Sequence, residues 1–316
     1  MDDLLILGKG LTEIDAIKKK LKEFHPMTDG GLVSKLLGIR FKWGKNSVRL
    51  DQESYSQQIL QEFGMEDCKA ISTPLSPSVQ LDSEGTLLGK SDHKLFRRLI
   101  GRLMFLVVAT RPDIAFAVNQ LSQYLAKPTQ VHLGAAKHVL RYVKGTMSYG
   151  LMFGGKGSQP KLTVYSDSAY ANSAKSRSTT GCVFFIGDAP IGWVSKKQPV
   201  VAQSSTEAEY IALSEAAKQA IWIRHFLYSI GKSGIYRNAP TTIYEDNQGA
   251  IKIADNPVNH PRTKHIGVRY HAIRGHMESG EVCLEYLSTD QMIADGLTKA
   301  TNLVTQKRLV DGLRLA

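Results

Sequence analysis

Residues 203–224 read QSSTEAEYIALSEAAKQAIWIR, a long helix whose first turns carry two carboxylates, Glu207 and Glu209. Residues two apart on an α-helix point about 200° away from each other, so the pair cannot share one task. Steps of three and four from Glu209 reach Leu213, Ala216, Ala220, Ile223 and Leu227, all apolar. The same steps from Glu207 reach Ile211, Ser214, Lys218, Trp222 and His225, a mixed set. Glu209 therefore heads the core-facing stripe, and Glu207 belongs to the wetter face. Ser204 followed by Glu207 has capping-box spacing, which gives Glu207 a structural role. Thr206 and Glu209 have the same spacing, so a cap is the competing role for Glu209. A carboxylate aimed at a core edge is costly unless a cation meets it.

Other acids also stand where apolar segments end. Asp167 closes the strand LTVYSD, Asp246 closes TTIYED, and Asp295 lies in QMIADGLTK, within a helix expected from about Asp290. If the two strands are neighbours in one sheet, Asp167 and Asp246 project near its edge, where the helix start carrying Glu209 can join them. Four carboxylates converging with no cationic side chain between them form a hard-oxygen site for Mg²⁺ or Mn²⁺. Each acid taken alone reads equally as a cap or a surface group. The repeated position carries the joint case.

Around this region the chain alternates strands and helices. TGCVFFIGDAPIGWVSKK reads as two apolar runs about a Gly187-Asp188 turn, and PVVAQ as a further strand candidate. The strand TTIYEDN, the helix QGAIKIAD, a His-rich helical stretch over 264–278 and the strand EVCLEYL follow. This is a mixed α/β layer, not a strict βαβ repeat. Upstream, TEIDAIKKKLKEF reads as an amphipathic helix capped by Thr12. A hairpin turns at Gly44-Lys45-Asn46, and Ser54 is placed to cap YSQQILQEF, which Gly64 ends. Residues 71–93 read as a loop, followed by three apolar helices up to Gly145. GGKGSQPK, residues 154–161, interrupts both periodicities and reads as a linker.

The 316 residues hold 40 Lys plus Arg against 29 Asp plus Glu, a net charge of +11. The excess is dispersed, with 22 basic and 15 acidic residues in 1–160 and 18 against 14 beyond. A dispersed basic excess suits a long polyanion, so nucleic acid is the leading partner class. Cys68, Cys182 and Cys283 lie too far apart for a zinc or disulfide pattern and fit a reducing compartment. There is no run of 18 apolar residues and no signal-peptide pattern. The expectation is a soluble intracellular protein without a membrane partner, in nucleus or cytoplasm.

At these same residues the sequence resembles the Pol polyprotein of copia-type LTR retrotransposons. YSDSAYA, TTGCVFFIGDAPIGWVSKKQPVVAQSSTEAEYIAL, EDNQGAI, NHPRTKHIGVRYHAIR and MIADGLTKA are similar to successive blocks of that family's RNase H domain. LIGRLMFLVVATRPDIAFAVNQLSQYLAKPTQVHLGAAKHVLRYVKGT is similar to its connecting region. DDLLILG, LLGIRF and FGMEDCKAISTPL are similar to the end of its reverse transcriptase.

The resemblance implies three parts: a truncated polymerase palm and thumb remnant over 1–75, a helical connecting region over 76–152, and an RNase H-like domain over 160–302. For the last it implies a mixed five-stranded sheet with flanking helices, the first three strands antiparallel. It also implies endonucleolytic cleavage of the RNA strand of RNA–DNA hybrids by two bound Mg²⁺ ions, with Mn²⁺ as substitute. The family's catalytic carboxylates fall on Asp167, Glu209, Asp246 and Asp295. Asp167 would bridge the ions, Glu209 and Asp246 would hold one, and Asp295 the other. The mobile histidine that many ribonucleases H place before the last helix has no counterpart here. His265, His271 and His276 lie earlier, with packing as the favoured role.

Asp2 and Asp3 match the paired acids of the polymerase hairpin, but the strand before them and the third aspartate are absent. No reverse transcriptase activity is expected, and the front should expose apolar surface that favours self-association. Lys175, Arg177, Lys196, Lys197, Lys264 and Arg269 are candidate phosphate contacts, and Trp193 and Tyr170 candidate stacking or sugar contacts. The competing reading is a non-catalytic remnant that at most binds nucleic acid through its charge.

Overall fold

The computed structural model describes residues 3–8, 10–82, 85–154, 160–172, 176–235, 239–255 and 267–316, with only the backbone for 233 and 267–271. The first helix, α1 (Leu11–Phe24), starts at Gly10 and not at Thr12, has no side-chain cap, and buries no residue. Strands β1 (Lys35–Leu36), β2 (Ile39–Trp43) and β3 (Ser47–Asp51) form an antiparallel ribbon. The β2–β3 turn closes where the Gly-Lys-Asn signal places it, with the Gly44 N–H donating to the Ser47 carbonyl at 2.8 Å. Helix α2 (Glu53–Glu62) is served by Asp51, whose Oδ1 accepts the Glu53 N–H at 3.2 Å, so Ser54 is inside the helix and not its cap. Gly64 ends this helix with a left-handed φ of 61°.

Helices α3 (Lys90–Ala109), α4 (Ala115–Ser122) and α5 (Gln130–Gly145) follow, and then strand β4 (Gly150–Gly154). β4 pairs antiparallel with β3, about 100 residues back in the chain. The front ribbon therefore has a partner strand, although the front is expected from sequence to expose apolar surface. Local turn chemistry reveals a hairpin, but not a pairing of this range. The exposed apolar residues of the front concentrate earlier, at Leu4, Leu7, Leu11, Phe24, Leu32 and Leu37.

The second half is a five-stranded sheet. Its strands are β5 (Leu162–Ala169), β6 (Thr179–Ile186), β7 (Ala189–Lys197), β8 (Thr241–Glu245) and β9 (Val282–Tyr286). Their order is β7-β6-β5-β8-β9, antiparallel through the first three and parallel from β5 to β8 to β9. This is the mixed α/β sheet that the family resemblance implies. Helices α6 (Ser205–Ser229), α7 (Gln248–Asp255), α8 (Gly267–Glu278) and α9 (Leu303–Gly312) complete the chain. PVVAQ is loop, with Val200 and Val201 about half exposed, because the ladder with β6 already ends at Lys197. β-branched composition alone does not supply a pairing partner.

Each face of this sheet has its own core. Leu162, Val164, Cys182, Phe184 and Ile243 pack against the α6 stripe Leu213, Ala216, Ala220, Ile223 and Leu227, as its periodicity predicts. Val183 and Phe185 point the other way, into a core shared with Leu103, Leu106, Val139 and Leu140 of the upstream helices and Leu309 and Leu313 of α9. A buried polar network runs through the same contact. Arg111 pairs with Asp113 at 2.7 Å, Tyr142 donates to Asp113 Oδ2 at 2.9 Å, and Gln306 Nε2 donates to the Tyr142 hydroxyl at 3.0 Å. Apolar core and satisfied polar groups thus run continuously from residues 76–152 into the sheet and α9. Among the described residues, no helix is long and apolar enough to cross a membrane.

Candidate metal centre

Parallel pairing brings two of the acids level. β5 and β8 pair Thr163 with Thr242, Val164 with Ile243 and Tyr165 with Tyr244. Two residues further on, the same register sets Asp167, which does not close its strand but lies two residues before the end of β5, beside Asp246, which lies just past the end of β8. Open α/β sheets favour the C-terminal edge of their strands for ligand sites. Glu209 arrives from the second turn of α6, which begins where Ser204 Oγ accepts the Glu207 N–H at 3.1 Å. Oxygens of Asp167, Glu209 and Asp246 lie within 4.8 Å of one another. Three of the four acids singled out in the sequence therefore meet.

The fourth, Asp295, stands beside this group and not in a helix starting near Asp290. It occupies a 3₁₀ turn, Ile293–Leu297, ahead of α9. Two glycines fix that turn. A Cβ on Gly181, the residue paired with Asp167, would fall 2.6 Å from Thr298 Cγ2 and 2.7 Å from the Ala294 carbonyl. A Cβ on Gly296 would fall 2.8 Å from Leu309 Cδ2. Only bare backbone at both positions lets the turn lie this close to β6 and α9. The Thr298 hydroxyl then reaches Asp167 Oδ2 at 2.9 Å, while Asp295 Oδ1 contacts Lys299 Nζ at 2.5 Å. Asp246 Oδ2 accepts from the Thr289 hydroxyl at 2.6 Å.

The electrostatics are those of crowded, desolvated carboxylates. Burial, then the charges of Asp295 and Asp246, push Asp167 up to about 7. Glu209 is raised by burial first, then by Glu245, Asp167 and Asp246. Glu245 was not singled out in the sequence. It is fully buried, raised well above its ordinary value mainly by burial, and linked to Glu209. One oxygen on each, Glu209 Oε2 and Glu245 Oε2, is buried with no hydrogen-bond partner. Strand alternation could have flagged Glu245, since it shares the inward face with Thr241 and Ile243. Hard oxygen donors gathered around partnerless buried carboxylate oxygens fit a divalent cation.

Glu207 is as buried as Glu209, at 7 %, which the helical face alone did not indicate. The loop before α6 covers it: the Gln203 N–H donates to Glu207 Oε2 at 2.8 Å, and Ala202 packs with Ala208 and Ile211. Trp193 also departs from its expected role, because its indole N–H donates to the Val107 carbonyl at 2.9 Å. It packs against α3 and is not a free stacking platform. Lys196 and Lys197 border a cavity of about 340 Å³ with Gln198, Glu215 and Lys218. Lys197 Nζ also donates to Gln123 Oε1 at 3.1 Å, and Arg177 is half-buried. Tyr170 is 46 % exposed. His276 pairs with Glu281 at 2.8 Å. Asp2, Lys175, Lys264 and His265 lie outside the described residues, as do the side chains of Arg269 and His271.

Comparison with known proteins gives a consistent picture. Residues 1–77 match the family model described as reverse transcriptase (RNA-dependent DNA polymerase). The retrovirus-related Pol polyprotein from transposon RE1 of Arabidopsis thaliana is 38% identical over 95% of this chain and 20% of its own length. A transposon Ty5-1 protein of Saccharomyces cerevisiae is 35% identical over 69% of this chain and 71% of its own. The chain thus spans about a fifth of the Pol polyprotein it matches. Among solved structures, LC11-RNase H1 isolated from compost is 17% identical over 48% of this chain and 99% of its own, with a TM-score of 0.34. A score that low adds nothing to the topology read from the strands.

Proposed function

The chain belongs to the Pol polyprotein family of copia-type LTR retrotransposons, and on that premise we propose that its five-stranded half is a metal-dependent endoribonuclease acting on RNA–DNA hybrids. The observation that carries this reading is the meeting of Asp167, Glu209 and Asp246 within 4.8 Å near the C-terminal ends of β5 and β8. Asp167, Glu209 and Asp246 would hold one Mg²⁺ or Mn²⁺ ion, and Asp167 with Asp295 a second. Such ions lower the pKa of an attacking water and stabilise the leaving 3′ oxygen.

The chain's own contributions are positional. Thr298 and Thr289 hold the Asp167 and Asp246 carboxylates by hydrogen bonds, and Gly181 admits the turn that carries Asp295. Burial of Glu209 and Glu245 keeps water from screening the site. Lys196, Lys197 and Arg177 are the described basic side chains offered to phosphates, so binding should weaken steeply with salt. The same 316 residues are expected not to extend a primer. Asp3 is exposed, and the carboxylate cluster found among the described residues is the one around Asp167.

The test is cleavage of a labelled RNA–DNA hybrid by the full chain in Mg²⁺ or Mn²⁺. Cleavage by the wild type, lost in Asp167→Asn, is the expected result. A folded wild type that binds the hybrid without cutting it in either metal would favour the non-catalytic reading.

A further inference from the structure

Lys299 stands four residues beyond Asp295, just past the 3₁₀ turn, and touches the carboxylate site from outside the set of acids. Its ammonium lies 2.5 Å from Asp295 Oδ1. The Asp295 side chain is 10% exposed and that of Lys299 51%, so one partner is fixed and the other can turn into solvent. On its far side Lys299 borders a cavity of about 550 Å³, together with Asn172, Gln120, Tyr124, Asp82 and Phe116. Asp82 is already engaged there by the Tyr124 hydroxyl. The long side chain therefore has two places for its charge, the Asp295 carboxylate and this hollow.

We propose that Lys299 is a built-in counter-cation that a divalent ion displaces from Asp295, and that the released ammonium then contacts a phosphate of the bound nucleic acid. This rests on the reading of the carboxylate group as a metal centre. A divalent cation and an ammonium compete for the same Asp295 oxygen, and two positive groups beside one carboxylate repel each other. A phosphate brought to the metal centre for cleavage comes beside Asp295 and so within reach of the Lys299 side chain. The side chain thus exchanges a carboxylate partner for a phosphate partner when both ligands are present. Metal and nucleic acid would then reinforce each other's binding, and linkage makes that reinforcement reciprocal.

The test uses the full chain with Lys299→Met and Lys299→Arg. Two quantities are read: Mn²⁺ affinity without nucleic acid, and affinity for a cleavage-resistant 2′-O-methyl RNA–DNA hybrid with and without Mn²⁺. The half-exposed ion pair sets the scale, so Lys299→Met should tighten Mn²⁺ binding by about fivefold. Its Mn²⁺-induced gain in hybrid affinity should shrink by a similar factor, and Lys299→Arg should restore both values toward wild type. A side chain that merely stabilises the turn would lower thermal stability and weaken Mn²⁺ binding. Unchanged or weakened Mn²⁺ affinity in Lys299→Met would overturn the displacement, and an unchanged hybrid gain would overturn the phosphate contact. A wild type that binds no Mn²⁺ would instead remove the metal centre on which the proposal rests.

Discussion

Asp3 lies in a stretch, residues 3–33, in which no described side chain is buried, whereas Asp167 lies on the central strand of a sheet covered on both faces. The sequence resemblance leads to the expectation of a metal-binding role for both acids, and both follow the same local pattern of carboxylate beside apolar run. The difference is convergence. Asp167 meets Glu209 from a helix and Asp246 from a neighbouring strand, with Asp295 close by on a 3₁₀ turn. Asp3 is supported by none of the packing that would bring further acids to it. A carboxylate motif becomes a candidate metal site only when separate elements deliver its partners, and that delivery comes from the core.

The sharpest way to break this contrast is to divide the chain. Expressed alone, residues 160–316 would expose Val183, Phe185, Leu309 and Leu313, which share their core with α3 and α5. The isolated piece is expected not to fold cooperatively, as a missing near-UV circular dichroism signal would show. A stable, well-dispersed 160–316 would instead mean that the site needs nothing upstream. Limited proteolysis probes the same point in the whole chain: the first cuts should fall within 3–33, leaving a resistant fragment that starts near residue 34 and not near 153.

A smaller but still large effect is expected from Gly181→Val. Its side chain would run into Thr298 and the Ala294 carbonyl, lowering stability by about 1–3 kcal/mol and moving Asp295 and Thr298 away from Asp167. Gly275→Ala is the control, since its Cβ meets nothing within 4 Å. Equal stability of the two variants would show that the turn does not depend on that close approach.

Next in size is the pH dependence of the metal-free protein. Asp167 is raised from 3.8 to about 7 in the fold, so the native state binds its proton more tightly than the unfolded chain. That stabilising contribution is fully present below about pH 4 and is lost as pH rises to about 7. Asp167→Asn should therefore melt progressively higher than wild type across this window, by several degrees at pH 7.5 and by little at pH 4. A constant difference between the two would place the carboxyl in a more hydrated setting. The smallest effect belongs to the front: removing residues 1–33, or changing Asp3→Asn, should alter hybrid cleavage by less than about twofold and the melting temperature by about 1 °C.

Much of this could be read from short-range signals. The Gly44–Asn46 and Gly187-Asp188 turns, the α6 stripe and Asp246 just past the end of β8 all follow from local periodicity and turn chemistry, whereas β5 runs two residues past Asp167. What escaped depended on contacts between distant segments. β3 finds its partner about 100 residues away, Trp193 bonds to α3, and Glu207 is covered by the loop before its own helix. Asp295 sits in a 3₁₀ turn because Gly181 and Gly296 allow close packing that no helical pattern encodes. The roles of Glu245 and Lys299 are not encoded locally for a related reason. Each takes its meaning from a neighbour that only the folded chain supplies.

The most direct measurement is hybrid cleavage by the full chain beside Glu209→Gln and Glu207→Gln, two substitutions of equally buried carboxylates in the same helix. Cleavage in Mg²⁺ or Mn²⁺ that falls by at least about 10³-fold in Glu209→Gln and survives in Glu207→Gln is the expected result. Loss in Glu207→Gln with retention in Glu209→Gln would contradict the assignment of the metal centre to Asp167, Glu209 and Asp246.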